Sequence, residues 1–190
     1  MSRLIVIQFI TVDGVVEDPD GAAGTALGGW AFRFGPEAVA GDKFRLGEVM
    51  ETGAMLLGRK TWQHFARIWP SRTDAFSTSM NRMRKLVVSR SLDSVDEWRN
   101  STLVRGDLLE EVARRKQDQD LVVVGSASVA RTLIEHDLVD EYRLLVFPTV
   151  LGEGQRLFSE GTGRIDLQHV STEQSGAATL IVYRRAPALT

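Results

Sequence analysis

Four apolar residues, Ala54 to Leu57, stop at Gly58 and run directly into Arg59, Lys60, Thr61 and Trp62. A strand that ends in glycine and turns into a helix leaves free backbone N–H groups, which suit a phosphate. Two cations beside them favour an anionic ligand; the plain alternative is a corner with solvated basic residues. A second such corner follows Leu121 to Val124, where Gly125 leads through Ser126, Ala127, Ser128 and Val129 into a helix. Gly58 through Thr61 and Gly125 through Val129 could hold the two sides of a pyrophosphate, each with a helix N-terminus. Ser89, Arg90 and Ser91 come next to mind, since with Arg59 they would suit a ribose 2′-phosphate. That group carries about two negative charges and favours the forked donors of Arg. In the other reading Arg90 belongs to a solvated basic cluster with Arg82, Arg84 and Lys85.

Acid–base chemistry needs a placed carboxylate, and Asp42 is the candidate. Pro36 to Thr52 is expected to be one helix, with Pro at its first turn and Gly53 closing it. Val39, Lys43, Leu46, Val49 and Met50 share a face, and Asp42 falls between Leu46 and Val49 on it. An inward carboxylate is costly without a partner or ligand. An Asp that reaches solvent near a helix end is the alternative.

Other chemistries find little support. Gly152-Glu153-Gly154 lacks the third glycine of a dinucleotide fingerprint, and Gly58-Arg59-Lys60-Thr61 lacks the upstream glycine of a P-loop. His64, His136 and His169 have neither a nucleophile-elbow Ser near them nor metal-ligand spacing. Cysteine is absent, which excludes disulfides, a thiolate zinc site and a cysteine nucleophile. The formal net charge of −2 offers no general attraction to nucleic acid or an anionic membrane. No apolar run is long enough to span a bilayer, and the N-terminus lacks signal-peptide features, so a cytoplasmic protein is expected.

The elements that must position these residues follow from the pattern. A length of 190 residues suits one domain over 1–190 with a sizeable core. Leu4 to Ile10 is apolar except for Gln8, as in a central strand covered on both faces. Asp13-Gly14 makes a turn, and the stretch from Gly14 to Gly35 holds six glycines and little periodicity. Its Trp30, Phe32 and Phe34 either cover the core or line a pocket for a flat ring. Trp62 to Ile68 continues a helix that Pro70 ends, and Ser71 to Met83 is expected to be loop with at most one helical turn. Lys85 to Ser89 and a short segment ending at Val104 are strands. Asp107 with Glu110 resembles a capping box, and a helix runs from Ser128 to His136. This alternation implies a mainly parallel sheet. Glu141 to Phe147, Ile165 to Val170 and Thr179 to Arg184 have no helix between them and are expected to pair antiparallel at one edge.

Gly58-Arg59-Lys60-Thr61-Trp62 after an apolar strand resembles the cofactor corner of dihydrofolate reductases. The corner at Gly125 is a second match. Leu138-Val139-Asp140-Glu141-Tyr142, then Phe147-Pro148 and Leu151-Gly152-Glu153-Gly154, is similar to the reductase domain of bacterial riboflavin biosynthesis. The resemblance spans nearly the whole chain and implies an α/β, dihydrofolate reductase-like three-layer fold. It also implies an NADPH-dependent reductase of a pterin- or pyrimidine-like heterocycle, assembled as a homodimer. By that resemblance the glycine-rich loop lies over nicotinamide and substrate, so Asp13, Trp30 and Phe32 are expected near the substrate. Asp42 would grip the ring and assist its protonation. The dimer would cover edge positions such as Leu180 and Val182. The chain departs from the riboflavin pattern at Gln8, where a lysine is usual in the first strand, and at Trp62-Gln63-His64-Phe65. A non-catalytic nucleotide-binding module, or a reductase of another small conjugated compound, are the alternatives.

Overall fold

The computed structural model describes residues 2–187. The first apolar run forms β1 (Leu4–Thr11), and the next forms β2 (Ala54–Gly58). They are followed by β3 (Arg84–Val88), β4 (Ser101–Val104), β5 (Leu121–Gly125), β6 (Glu141–Phe147), β7 (Leu167–Ser175) and β8 (Ala178–Arg185). All eight lie in one sheet in the order β4-β3-β2-β5-β1-β6-β8-β7. The pairs from β4 to β6 are parallel, whereas β8 is antiparallel to both β6 and β7. The mainly parallel sheet with an antiparallel C-terminal edge is therefore as expected.

Among the described residues six short α-helices flank it: α1 (Pro36–Val39), α2 (Val49–Thr52), α3 (Arg59–Ile68), α4 (Ala75–Arg82), α5 (Leu108–Arg115) and α6 (Ala127–Glu135). Alternation along β1 sends Leu4, Val6 and Ile10 to the face covered by α5 and α6. Ile5 and Ile7 go to the face covered by α2, α3 and α4. β5, central and covered on both sides, buries Leu121, Val122 and Val123 completely, which is why it has no polar position.

Two expectations are corrected here. Pro36–Thr52 is not one helix: the chain leaves α1 at Ala40 and re-enters helix only at Val49. Gly41, Arg45 and Gly47 have φ of 78°, 54° and 54°, which no helix tolerates. The apolar spacing survives because Leu46, Val49 and Met50 still face the core. Ser71–Met83 in turn contains two turns of helix, α4, started by Asp74, whose carboxylate accepts the Ser77 N–H at 3.0 Å.

Trp30, Ala31 and Ala38 close a third cluster over Leu145, Phe147, Ala178 and Leu180. Leu180 is thus 3% exposed within the single chain, and Val182 packs partly buried on the same cluster. The apolar positions that the sequence reading left for a second subunit are covered from within. β7 is exposed along most of its length, and its Gln168, His169, Ser171, Thr172, Glu173 and Gln174 keep that edge polar.

Candidate functional site

The two glycine corners meet. In register, Gly58 at the end of β2 lies beside Val88 of β3, and Leu57 lies beside Gly125 of β5. A Cβ on Gly58 would come 2.7 Å from Ser126 Oγ, and one on Gly125 would come 2.8 Å from Thr61 Oγ1. Only glycine permits that approach, and Gly125 also sits at φ 153°. The corners belong to helices on opposite faces of the sheet, so adjacent strand ends present two helix N-termini to one place. Neither α3 nor α6 has a side-chain cap or an acidic residue in its first turn. Their leading N–H groups therefore remain available to an anion.

Around this junction Arg59, Lys60 and Ser128 are exposed, and Thr61, Ser126 and Ala127 are half-buried. Ser126 and Ser128 share a hydrogen bond at 2.7 Å. Val129 contributes backbone only, since its side chain joins the core. Ser89 directly follows β3 and is buried; its Oγ accepts the N–H groups of Ser91 at 3.1 Å and Leu92 at 3.0 Å. Ser89 therefore shapes the loop that holds Arg90 and Ser91 out in solvent. The residues expected for a pyrophosphate and a 2′-phosphate are gathered at the carboxyl ends of β3, β2 and β5.

β1 completes the site by leaving β5. It pairs with β5 only from Leu4 to Val6, opposite Leu121 to Val123, but pairs with β6 from Ile5 through Thr11. Past Val6 the sheet parts between β1 and β5, next to Gly125. An opening beyond the carboxyl ends of parallel strands is where α/β sheets bind ligands.

The residues expected near substrate are placed otherwise. Trp30 is 1% exposed, with its indole N–H donating to the Glu17 carbonyl at 2.8 Å and its ring edge-on to Phe147 at 5.5 Å. It covers the core rather than lining a pocket, because the β6–β8 half of the sheet has no long helix over it. Phe32 points outward, 54% exposed. Asp13 accepts the Thr11 hydroxyl at 2.6 Å and the Gly152 N–H at 2.8 Å, which hold its carboxyl down to about 2. It ties the end of β1 to the loop after β6. Asp42 has lost the helical phase that turned it inward. Its two oxygens accept the N–H groups of Leu46 and Gly47, each at 3.0 Å, closing the turn between α1 and α2.

Two residues were under-read in the sequence. Lys85, expected at the start of a strand and placed on a solvated face only in the alternative reading of Arg90, is fully buried on β3, its Nζ donating to the carbonyls of Asn81 at 2.9 Å and Arg99 at 3.0 Å. It lies 4.2 Å from the Trp98 ring centroid. Burial, aided by the nearby Arg99, pushes its ammonium down to about 7. The signal was available, since Met83, Lys85 and Val87 alternate with outward Arg84. Gln8 is the other, a buried polar residue within the apolar run of β1.

The surface hollows lie elsewhere. One of about 280 Å³ is lined by Ile134, Asp137, Arg164 and Arg185, and a second by Arg3, Asp140 and Arg184. Both sit at the amino ends of the parallel strands, among ion-paired side chains, away from the glycine corners. Among the described residues no group of three or more acidic, His or Cys side chains could hold a metal ion. Among them, too, no helix is long and apolar enough to cross a membrane.

Residues 3–181 match the family described as the RibD C-terminal domain, and the chain belongs to that family. The uncharacterized protein YyaP of Bacillus subtilis (strain 168) is 29% identical over 189 residues, covering 95% of this chain and 94% of its own. Among solved structures, a protein from Shewanella sp. PV-4 named for riboflavin biosynthesis aligns with a TM-score of 0.74 at 21% identity. That alignment covers 97% of this chain and 99% of the other. The Thermotoga maritima deaminase/5-amino-6-(5-phosphoribosylamino)uracil reductase gives 0.58 at 17% identity, over 97% of this chain and 57% of its own. Dihydrofolate reductase from Enterococcus faecalis, complexed with NADP(H), gives 0.56 at 17% identity over 97% of both chains. The fold is dihydrofolate reductase-like.

Proposed function

We propose that this chain is an NADPH-dependent reductase of a pyrimidine- or pterin-like heterocycle. One observation carries the reading: the glycine corners at Gly58 and Gly125 touch, bringing two uncapped helix N-termini together where β1 and β5 part. The junction suits a dinucleotide, because neither helix start carries a side-chain cap or an acidic residue, and the two glycines let them approach closely enough for one pyrophosphate. Gly58 through Thr61 and Ser126 through Val129 would hold the pyrophosphate by backbone N–H groups. Arg59 and Arg90 would hold the 2′-phosphate and disfavour NADH. The opening between the strands would take a flat ring. When bound, the cofactor supplies the hydride; the chain's part is to orient the two rings and limit water between them. The substrate class is drawn from the family. Asp42 has in this reading a loop-closing task, its oxygens being committed to Leu46 and Gly47.

The test is a fluorescence titration with NADPH and NADH, followed by NADPH oxidation against a ribosylaminopyrimidine, dihydrofolate and small quinones. Tighter binding of NADPH and oxidation with a ring substrate are expected. Equal affinity for the two cofactors would overturn the 2′-phosphate assignment. Tight NADPH binding with no oxidation of any compound would favour a non-catalytic nucleotide-binding module.

A further inference from the structure

Four buried side-chain polar atoms lack a hydrogen-bond partner among the described residues: Gln8 Nε2, Trp69 Nε1, Gln119 Oε1 and Ser175 Oγ. Trp69 lies at the far end of α3, Gln119 precedes β5 and Ser175 closes β7. Gln8 alone lies in the stretch of β1 that has left β5. It stands two residues past Val6, where the β5 ladder stops, and opposite Leu144 on the other side. Between Val6 and Ile10, it faces the side of the sheet that α6 covers with Val129 and Ala130. It is 8% exposed. A Leu or Met would fill the place with no orphaned donor, and the unmade hydrogen bond costs stability.

We infer that Gln8 is a specificity-determining residue whose carboxamide pairs with an amide group on the flat ring that enters the opening between β1 and β5. The inference rests on the reductase reading. An amide presents an N–H and a C=O side by side, so a second amide is its natural complement. Two rings of the proposed reaction carry one: the nicotinamide, as its carboxamide, and a pyrimidine or pterin, as its ring lactam. One point of geometry supports the placement: Gln8 lies past the end of the β1–β5 ladder, on the strand beside Gly125.

The test compares wild type with Gln8→Met, which keeps the length and removes the amide, and Gln8→Glu, which keeps the shape and removes the donor. Each is titrated with NADPH and with 2′-phospho-ADP-ribose, which lacks the nicotinamide. KM is measured for whichever lactam substrate the wild type reduces, and the thermal midpoint of each unliganded protein is recorded. A loss of about tenfold or more in NADPH affinity in both variants, with 2′-phospho-ADP-ribose binding unchanged, identifies the nicotinamide as partner. Unchanged NADPH affinity with KM raised about tenfold identifies the lactam. Either result should come with a thermal midpoint of Gln8→Met equal to or above wild type, since an unpartnered buried amide has been removed. Unchanged affinity and KM, or equal losses for both nucleotides with a lowered midpoint, would overturn the inference and leave the reductase reading standing. Wild-type protein that binds no NADPH would overturn the reductase reading, and the inference with it.

Discussion

The two ends of the parallel strands treat charge in opposite ways. At the amino ends, Glu141 is 1% exposed and receives Arg3 at 2.9 Å, Arg143 at 2.7 Å and Arg184 at 3.1 Å. Arg3 also pairs with Asp120 at 2.9 Å, and Lys116 pairs with Asp140. Burial opposes the charge of Glu141, but hydrogen bonds from Arg143 and Arg184 outweigh it and hold its carboxyl below the usual range. At the carboxyl ends, two helices begin uncapped over touching glycines, and Arg59, Lys60 and Arg90 stand exposed. Charge that is satisfied internally holds strands in register. Donors left unsatisfied where strands end are available to a ligand. Substitutions at the first end should therefore act on stability, and at the second on binding.

The sharpest separation should come from Glu141→Gln. Removing the shared negative charge and one of its two acceptor oxygens leaves Arg143 and its neighbours uncompensated, at a cost of about 3 kcal/mol in unfolding free energy. Denaturant melts should show that loss while NADPH affinity per folded molecule stays within about twofold. A selective loss of NADPH affinity would break the division between the two ends.

Lys85, also near the amino ends, is the exception, a buried cation with no carboxylate. Its ammonium is held near 7 in the folded chain, against an unfolded value of about 10.4. The folded state thus binds fewer protons between those values, so stability should rise as pH rises from about 7 to 10. The ceiling is about 1.4 kcal/mol per pH unit for one proton, and the Asn81 and Arg99 carbonyls and the Trp98 face, which favour the ammonium, limit how far the window extends at its lower end. In Lys85→Met the slope over this window should vanish, as urea melts at several pH values would show. An unchanged slope would locate the titration elsewhere.

At the other end, replacing Arg59 and Arg90 together by Ala should cost about 2 kcal/mol in NADPH binding, from two charge-assisted contacts. NADH affinity and the melting midpoint should hardly move. A fall in both cofactors alike would place the arginines on the pyrophosphate instead. The smallest effect is expected at Asp42. Asp42→Ala removes two N–H acceptors from a surface turn, for about 1 kcal/mol of stability, without a change in kcat. A fall in turnover of about a hundredfold with stability intact would return Asp42 to the role of substrate acid.

The pattern of residues determined the strands, their order of types and the two corners. Leu4–Ile10, Ala54–Gly58 and Leu121–Gly125 are short apolar runs bounded by turn residues, a local signal that buried parallel strands cannot avoid giving. Glycine at 58 and 125 was legible for the same reason, as the stop after each run. What lay between neighbours in space was not. The break within Pro36–Thr52 is invisible to apolar spacing, because the interrupted segment still delivers Leu46, Val49 and Met50 to the core. Only tertiary structure turned Asp42 from an inward acid into the closure of a turn, and Trp30 from a pocket wall into the cover that the β6–β8 half needed. Lys85 differs from Arg84 by one position of strand alternation, and contact with Trp98 decided which of the two went inside. That the corners touch, and that β1 leaves β5 beside them, depends on residues about 70 and 120 positions apart along the chain. Close backbone approach is a property of packing, and one sequence read alone carries glycine's permission for it but not the partner.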